Sequence, residues 1–205
     1  TNRSELENAG IKFDFPAGAN GNHMANYLLI QIGNRVQGIQ IYPGVKLPSE
    51  EHGDDGATGI FSGFHNLKRF DGSGLDTSDA NTFNSLFYND YNLSDLSSLK
   101  HWSTGKVTNM YKAFYNVGET NLNGLSDWNV DHATNFTSMF SDDSKLTNLD
   151  DLVDWLQSTA KTSNQSGTRN IQQMFENDPN LTKVNAIGNW KVNRVNNIYG
   201  LFNSD

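Results

Sequence analysis

The chain has 205 residues, a formal charge of −8 and no cysteine. These facts exclude disulfides, thiolate metal sites and cysteine nucleophiles, and the absence of any Lys/Arg run argues against a nucleic-acid partner. Mean hydropathy is −0.61, yet 12 Phe, 7 Tyr and 4 Trp are present, and a polar, turn-rich chain with aromatic anchors points to repeats.

In chain order, residues 1–55 come first and carry no repeat. Ile11, Phe13 and Phe15 alternate. Two further alternating runs flank Gly33-Asn34-Arg35, which reads as a β-hairpin with Ile30 and Ile32 against Val36, Ile39 and Ile41. This segment is expected to cap the open end of a repeat stack. The chain starts at Thr1 with no signal-peptide pattern and stops in mid-pattern after Phe202. It therefore reads as a fragment whose targeting segments are removed and whose natural protein continues.

Residues 56–205 repeat. Phe61, Phe87, Phe114, Phe140, Phe175 and Phe202 are spaced by 26, 27, 26, 35 and 27 residues. Trp102, Trp128 and Trp190 each stand twelve residues before a Phe, and Leu75 takes that place before Phe87. Trp155 stands twenty before Phe175, so that unit carries eight extra residues within a polar, Ser/Thr-rich loop. Val107, Met110 and Phe114, with their equivalents, follow a 3-then-4 spacing that predicts a short helix. Leu-rich segments after each Phe (Leu93 and Leu96, Leu146 and Leu149) read as a short strand and turn beside the next unit. Asn109, Asn135, Asn170 and Asn197 precede the Met110-type residue and read as a structural ladder.

Chemical motifs are scarce. Thr104-Gly105-Lys106 lacks the earlier glycine of a phosphate loop. No G-x-S-x-G or H-E-x-x-H is present, and the five His share no repeat position. The chain is therefore expected not to be an enzyme and to need no cofactor. Two acidic stretches are weak hard-cation candidates: Asp71, Asp76 and Asp79, and Glu51, Asp54 and Asp55. Solvated turns are the favoured reading of both, and no metal is expected.

The stretches WSTGKVTNMYKAF, WNVDHATNFTSMF and WKVNRVNNIYGLF resemble the repeat of BspA-like leucine-rich-repeat surface proteins of bacteria. The likeness spans about residues 56–205. The first unit departs from it with Leu75 for Trp, and the Leu segment departs in its three-residue spacing. With the periodicity, it gives the expected fold class: an α/β repeat solenoid, leucine-rich-repeat-like, right-handed and curved, behind an N-terminal β-rich cap. The resemblance implies an extracellular site on a bacterial surface or cell wall, with the lack of Cys common in Gram-positive surface proteins. It also implies adhesion to host matrix, mucus or glycans.

The leading functional expectation is thus a monomeric, non-catalytic binding module whose partner is a host or neighbouring-cell protein or glycan. Its candidate contact residues lie beside the Leu segments: Ser98, Lys100, Asp127, Asp151, Asp154, Asn185 and Asn189. A rigid spacer displaying a neighbouring module is the alternative, and an accessory domain of a surface hydrolase the third reading.

Overall fold

The computed structural model describes residues 35–47, 49, 58–157 and 168–203. The first arm of the expected hairpin, with Ile30 and Ile32, lies outside these residues, as do Glu51, Asp54, Asp55 and most of the Ser/Thr-rich insert.

The repeat is physical. Each unit forms one thin layer, and equivalent residues of successive layers face one another. The rings of Phe61, Phe87, Phe114, Phe140, Phe175 and Phe202 form a column with centroids 5.3–5.7 Å apart and planes within 19°. Trp102, Trp128 and Trp155 stack in a second column at 6.3 and 6.5 Å. The core between the columns is continuous from Leu47 to Trp190.

The backbone explains the spacing. Around each anchor Phe, alternate amides donate to carbonyls of the following layer. From the Phe114 layer, Met110, Lys112, Phe114 and Asn116 donate to Asn135, Thr137, Met139 and Ser141 at 2.8–3.0 Å. The amides between them close tight turns within the layer, as Ala113 N–H does to the Met110 carbonyl. Such turns need a left-handed residue on each side of the Phe. Two positions before it stand Gly59, Ser85, Lys112, Ser138, Gln173 and Gly200, with φ of 52–63°; two after it, Asn89, Asn116, Asp142 and Asn177, with φ of 54–65°. Asn and Asp tolerate this region better than other non-glycine residues.

The expected α/β solenoid of strand plus helix is therefore overturned. Among the described residues no segment forms an α-helix, and the longest 3-10 turn, Asn185–Asn189, has five residues. The strands have two or three residues: β1 (Gly38–Gln40), β2 (Val45–Lys46), β3 (Arg69–Asp71), β4 (Leu75–Asp76), β5 (Arg169–Asn170) and β6 (Val195–Asn197). They pair as three small parallel sheets, β1 with β3, β2 with β4 and β5 with β6. The physical reason is distance. Packed helices need about 8–10 Å between axes, whereas neighbouring layers here bring equivalent Phe rings to 5.3–5.7 Å. The 3-then-4 spacing of Val107, Met110 and Phe114 buries one face without helical hydrogen bonds.

The Leu segments differ from expectation too. Those of the middle layers form 3-10 turns, at Ser97–Leu99, Asn123–Leu125, Asp150–Leu152 and Asn185–Asn189. Strand-like pairing runs along the column Thr82, Asn109, Asn135, Asn170, Asn197, and within the Leu segments it is present at β3 and at the parallel bridge of Asn148 with Lys183. Residues 38–47, beyond the detected repeat, lie in parallel register with 69–76: Ile39 faces Phe70 and Val45 faces Leu75.

Two measurements check this architecture. Phe140→Ala removes a fully buried ring from mid-column, so thermal or denaturant melts should show a loss of about 3–5 kcal/mol. At Gln173, φ is 54°, so Gln173→Gly should be the more stable of the pair Gln173→Gly and Gln173→Ala, by up to about 1 kcal/mol. A helix would reverse that order.

Candidate binding face

The 3-10 turns lie against one another from layer to layer. The first three, Ser97–Leu99, Asn123–Leu125 and Asp150–Leu152, are each set by a leucine that anchors the start and another that ends the turn, and by a short polar side chain just ahead. Asp95, Asn121 and Asn148 accept through Oδ1 from the amides of Ser97, Asn123 and Asp150 at 2.9, 3.3 and 3.2 Å. This Asx-Leu-x-x-Leu signal is legible in the sequence once the turn is known. Layers approach so closely here that a Cβ on Gly124 would lie 1.7 Å from the Leu96 carbonyl oxygen.

The candidate contact residues all lie on or beside these turns, but they do not form one site. The Ser98 hydroxyl donates to the Phe70 carbonyl (2.9 Å) and accepts from the Gly72 amide (3.1 Å). Asp151 accepts from the Leu122 amide at 3.2 Å. Both side chains tie their layer to the one before. Lys100 and Asp127 form an ion pair at 3.8 Å, each about half exposed. Asp154 lines a hollow beside Trp128 and Asp131, while Asn185 and Asn189 share a shallow hollow with Asp150 and Val153.

The largest of these hollows is a groove of about 590 Å³ at the first layers. Gln40, Arg69, Asp71, Asp95, Ser97 and Ser98 line it together with Gly38, Ile39 and Phe70. Gln40 Nε2 donates to Asp71 Oδ2 at 3.3 Å. A guanidinium, two carboxylates, an amide and two hydroxyls thus share an open groove with apolar side chains between them. That mixture suits a hydroxyl-rich ligand, which needs donors and acceptors side by side. Of these groove residues, sequence reasoning singled out Ser98 as a contact and Asp71 as a weak cation ligand. It missed Gln40, Arg69, Asp95 and Ser97, because Gln40 reaches the groove from a segment outside the detected repeat.

The Asn column is held by two kinds of bond. Backbone bridges join Asn109 to Asn135 and Asn135 to Asn170, and Asn170 faces Asn197. Each side-chain Oδ1 instead accepts from its own chain two residues on, at Tyr111, Thr137, Gln172 and Tyr199 (3.0–3.1 Å). Asn197 Nδ2 also crosses to Gln172 Oε1 at 2.9 Å.

Asp71, Asp76 and Asp79 already have partners. Asp71 accepts from the Ser73 hydroxyl and amide, and Asp76 from the Ser78 amide. Asp79 binds Lys46 at 2.6 Å and Lys106 at 3.0 Å. These bonds hold all three carboxyls below the usual range, Ser73, Ser78 and Lys46 being the respective main causes. Among the described residues no group of three His, Cys, Asp or Glu is arranged to hold a metal ion.

The inner edge of the layers holds a feature the sequence did not announce. Asp90, Asp143 and Asp178 each stand three residues after an anchor Phe and are buried. Their Oδ1 atoms accept from the amides of Phe64, Val117 and Asp143 in the preceding layer, at 2.7, 2.6 and 2.9 Å. Their Oδ2 atoms have no partner, nor has either oxygen of the fully buried Glu119. Burial pushes Asp90 and Asp178 up to about 8 and Glu119 up to about 7. Asp143 is raised by burial and then by Glu119, so this pair retains a proton.

The opposite flank of the turns carries aromatic side chains. Tyr88 stacks on Tyr115 at 5.0 Å, and Lys112 Nζ lies 4.7 Å from the Tyr115 ring centre. A hydrogen bond to Asp142, and then burial, raise the Tyr115 hydroxyl above its ordinary value. No helix among the described residues is long and apolar enough to cross a membrane.

Comparison with known families gives one match. The family described as "Mycoplasma protein of unknown function, DUF285" matches residues 57–166 and 157–205. No curated protein and no solved structure matches the chain.

The buried carboxyls give a pH dependence of known sign. Their folded values lie above their unfolded ones, so their contribution is complete below about pH 4 and is lost as pH rises through 7 to 8. The lowered surface carboxyls act only at the acid end, below their unfolded 3.8. Tm should therefore fall between about pH 5 and about pH 9. Asp178→Asn keeps an acceptor for the Asp143 amide and should flatten that fall, with a higher Tm than the parent at about pH 9.

Proposed function

We propose that this chain, which belongs to the DUF285 family, is a non-catalytic binding module of a bacterial cell surface whose ligands are glycans. The observation that carries this reading is the groove in which Arg69, Asp71, Asp95 and Gln40 stand beside Ser97 and Ser98. Sugar hydroxyls both donate and accept, and this lining offers both roles along one open trough. The resemblance to BspA-like surface proteins supports the location and an adhesive role toward host matrix, mucus or neighbouring cells. The polar side chains beyond the groove, from Lys100 and Asp127 to Asn185 and Asn189, extend the same face and suit a long ligand better than a small one.

A second reading has its own observation. The aromatic column and core run unbroken through the layers, which suits a rigid spacer that displays a neighbouring module. The two readings part on ligand binding. On an array of mucins, matrix proteins and glycans, the binding module should capture at least one glycan-bearing probe. Arg69→Ala should weaken that capture at least tenfold, without moving Tm by more than a degree or two, since Arg69 is exposed. Capture of no probe by a folded chain would leave the spacer.

A further inference from the structure

The groove at the first layers carries more charge than its own fold requires. Asp95 accepts from the Ser97 amide through Oδ1 at 2.9 Å and so starts its turn. In the next two layers Asn121 and Asn148 make the same bond to the amides of Asn123 and Asp150. An amide oxygen therefore suffices there, and the negative charge of Asp95 has no task in the turn. Asp71 is similar. Its Oδ1 accepts from the Ser73 amide at 3.1 Å, a bond that an asparagine oxygen would also make.

The charges of the groove are held apart rather than paired. A Cβ on Gly38 would lie 3.6 Å from Arg69 Nη2 and 3.7 Å from Nε, so the guanidinium lies over β1 at a point that has no side chain. Asp95 belongs to the layer on the other side of β3, next to the turn whose Ser98 bonds the Phe70 carbonyl. Among the described residues Arg69 forms no ion pair with Asp71 or Asp95. Hydrogen bonds from Ser73 and Ser97 hold the two carboxyls below the usual range, so both stay ionised. The trough thus presents one positive and two negative charges, in a chain whose formal charge is −8. An anionic sugar meets repulsion there, and a neutral one leaves both carboxylates without a counter-charge. A sugar that carries an ammonium matches the whole lining, with hydroxyls toward Arg69 and Gln40 and the ammonium toward Asp71 and Asp95.

We propose that the ligand of this groove is an amine-bearing glycan, built of hexosamine units that are not N-acetylated, with Asp71 and Asp95 selecting the ammonium. This rests on the glycan reading of the groove given above and names the class of glycan.

The test is calorimetry on the whole chain with an N-acetylglucosamine oligosaccharide and its fully deacetylated counterpart. It is run at about pH 6 and low salt, where the ammonium is protonated and screening is weak. The deacetylated sugar should bind about fivefold tighter or more, and the preference should shrink in about 0.5 M salt. The double variant Asp71→Asn, Asp95→Asn keeps the turn bonds and should bring the ratio of the two affinities to about one. Asp95→Asn alone, which installs the residue of the next two layers, should lower that ratio and leave the fold intact. A ratio unchanged in both variants would assign the preference to the net charge of the chain and overturn the proposal. So would tighter binding of a sialylated oligosaccharide or of a lysine-rich peptide. Binding of the N-acetylated sugar as tightly as the deacetylated one sinks the proposal and leaves the glycan reading standing. A folded chain that binds none of these sugars sinks both.

Discussion

The distance between layers governs the rest of this structure. Equivalent Phe rings recur at 5.3–5.7 Å, a little over the spacing of paired strands. At that separation the backbone of one unit must bond directly to the next, and no helix fits between them. Left-handed residues flank each anchor from Phe61 to Phe175 because the turns that release alternate amides toward the neighbour require them. Gly124 is fixed for the same reason, its Cα lying against a carbonyl of the layer before.

Close stacking multiplies whatever stands at one repeat position. A Trp becomes a column of indoles, each donating Nε1–H to a carbonyl of the preceding layer: Trp102 to Gly72, Trp128 to Leu99, Trp155 to Leu125 and Trp190 to Leu152, at 2.8–3.0 Å. An Asp becomes a set of buried carboxyls, Asp90, Asp143 and Asp178, with Val117 in the place between the first two. One oxygen of each satisfies a backbone amide and the other is buried without a partner, so burial holds these carboxyls above the usual carboxylate range. The same multiplication brings the 3-10 turns of successive layers against one another, with polar side chains on their outer side.

The candidate site was only partly legible. Ser98, Lys100 and Asp127 lie on or beside the 3-10 turns, as their position beside the Leu segments leads one to expect. Their roles were not legible, because spacing does not distinguish a side chain that meets solvent from one, like Ser98 or Asp151, that reaches back to the previous layer. Arg69 and Asp95 each show nothing unusual locally. They share a groove with Gln40 only because β1 pairs in parallel with β3 across a separation of thirty-one residues.

The sequence by itself determined the repeat, its anchors and its one long insertion, since burying Phe, Trp and Leu at fixed intervals is a property of the pattern. It also determined the polar character of the exposed face. Only the tertiary structure decided the conformation of each unit. A spacing of three then four residues buries one side of a helix or of a run of tight turns equally well. The difference between them is where the amides find carbonyls, within the unit or across to the next. That choice belongs to neighbouring layers, and no single repeat contains it.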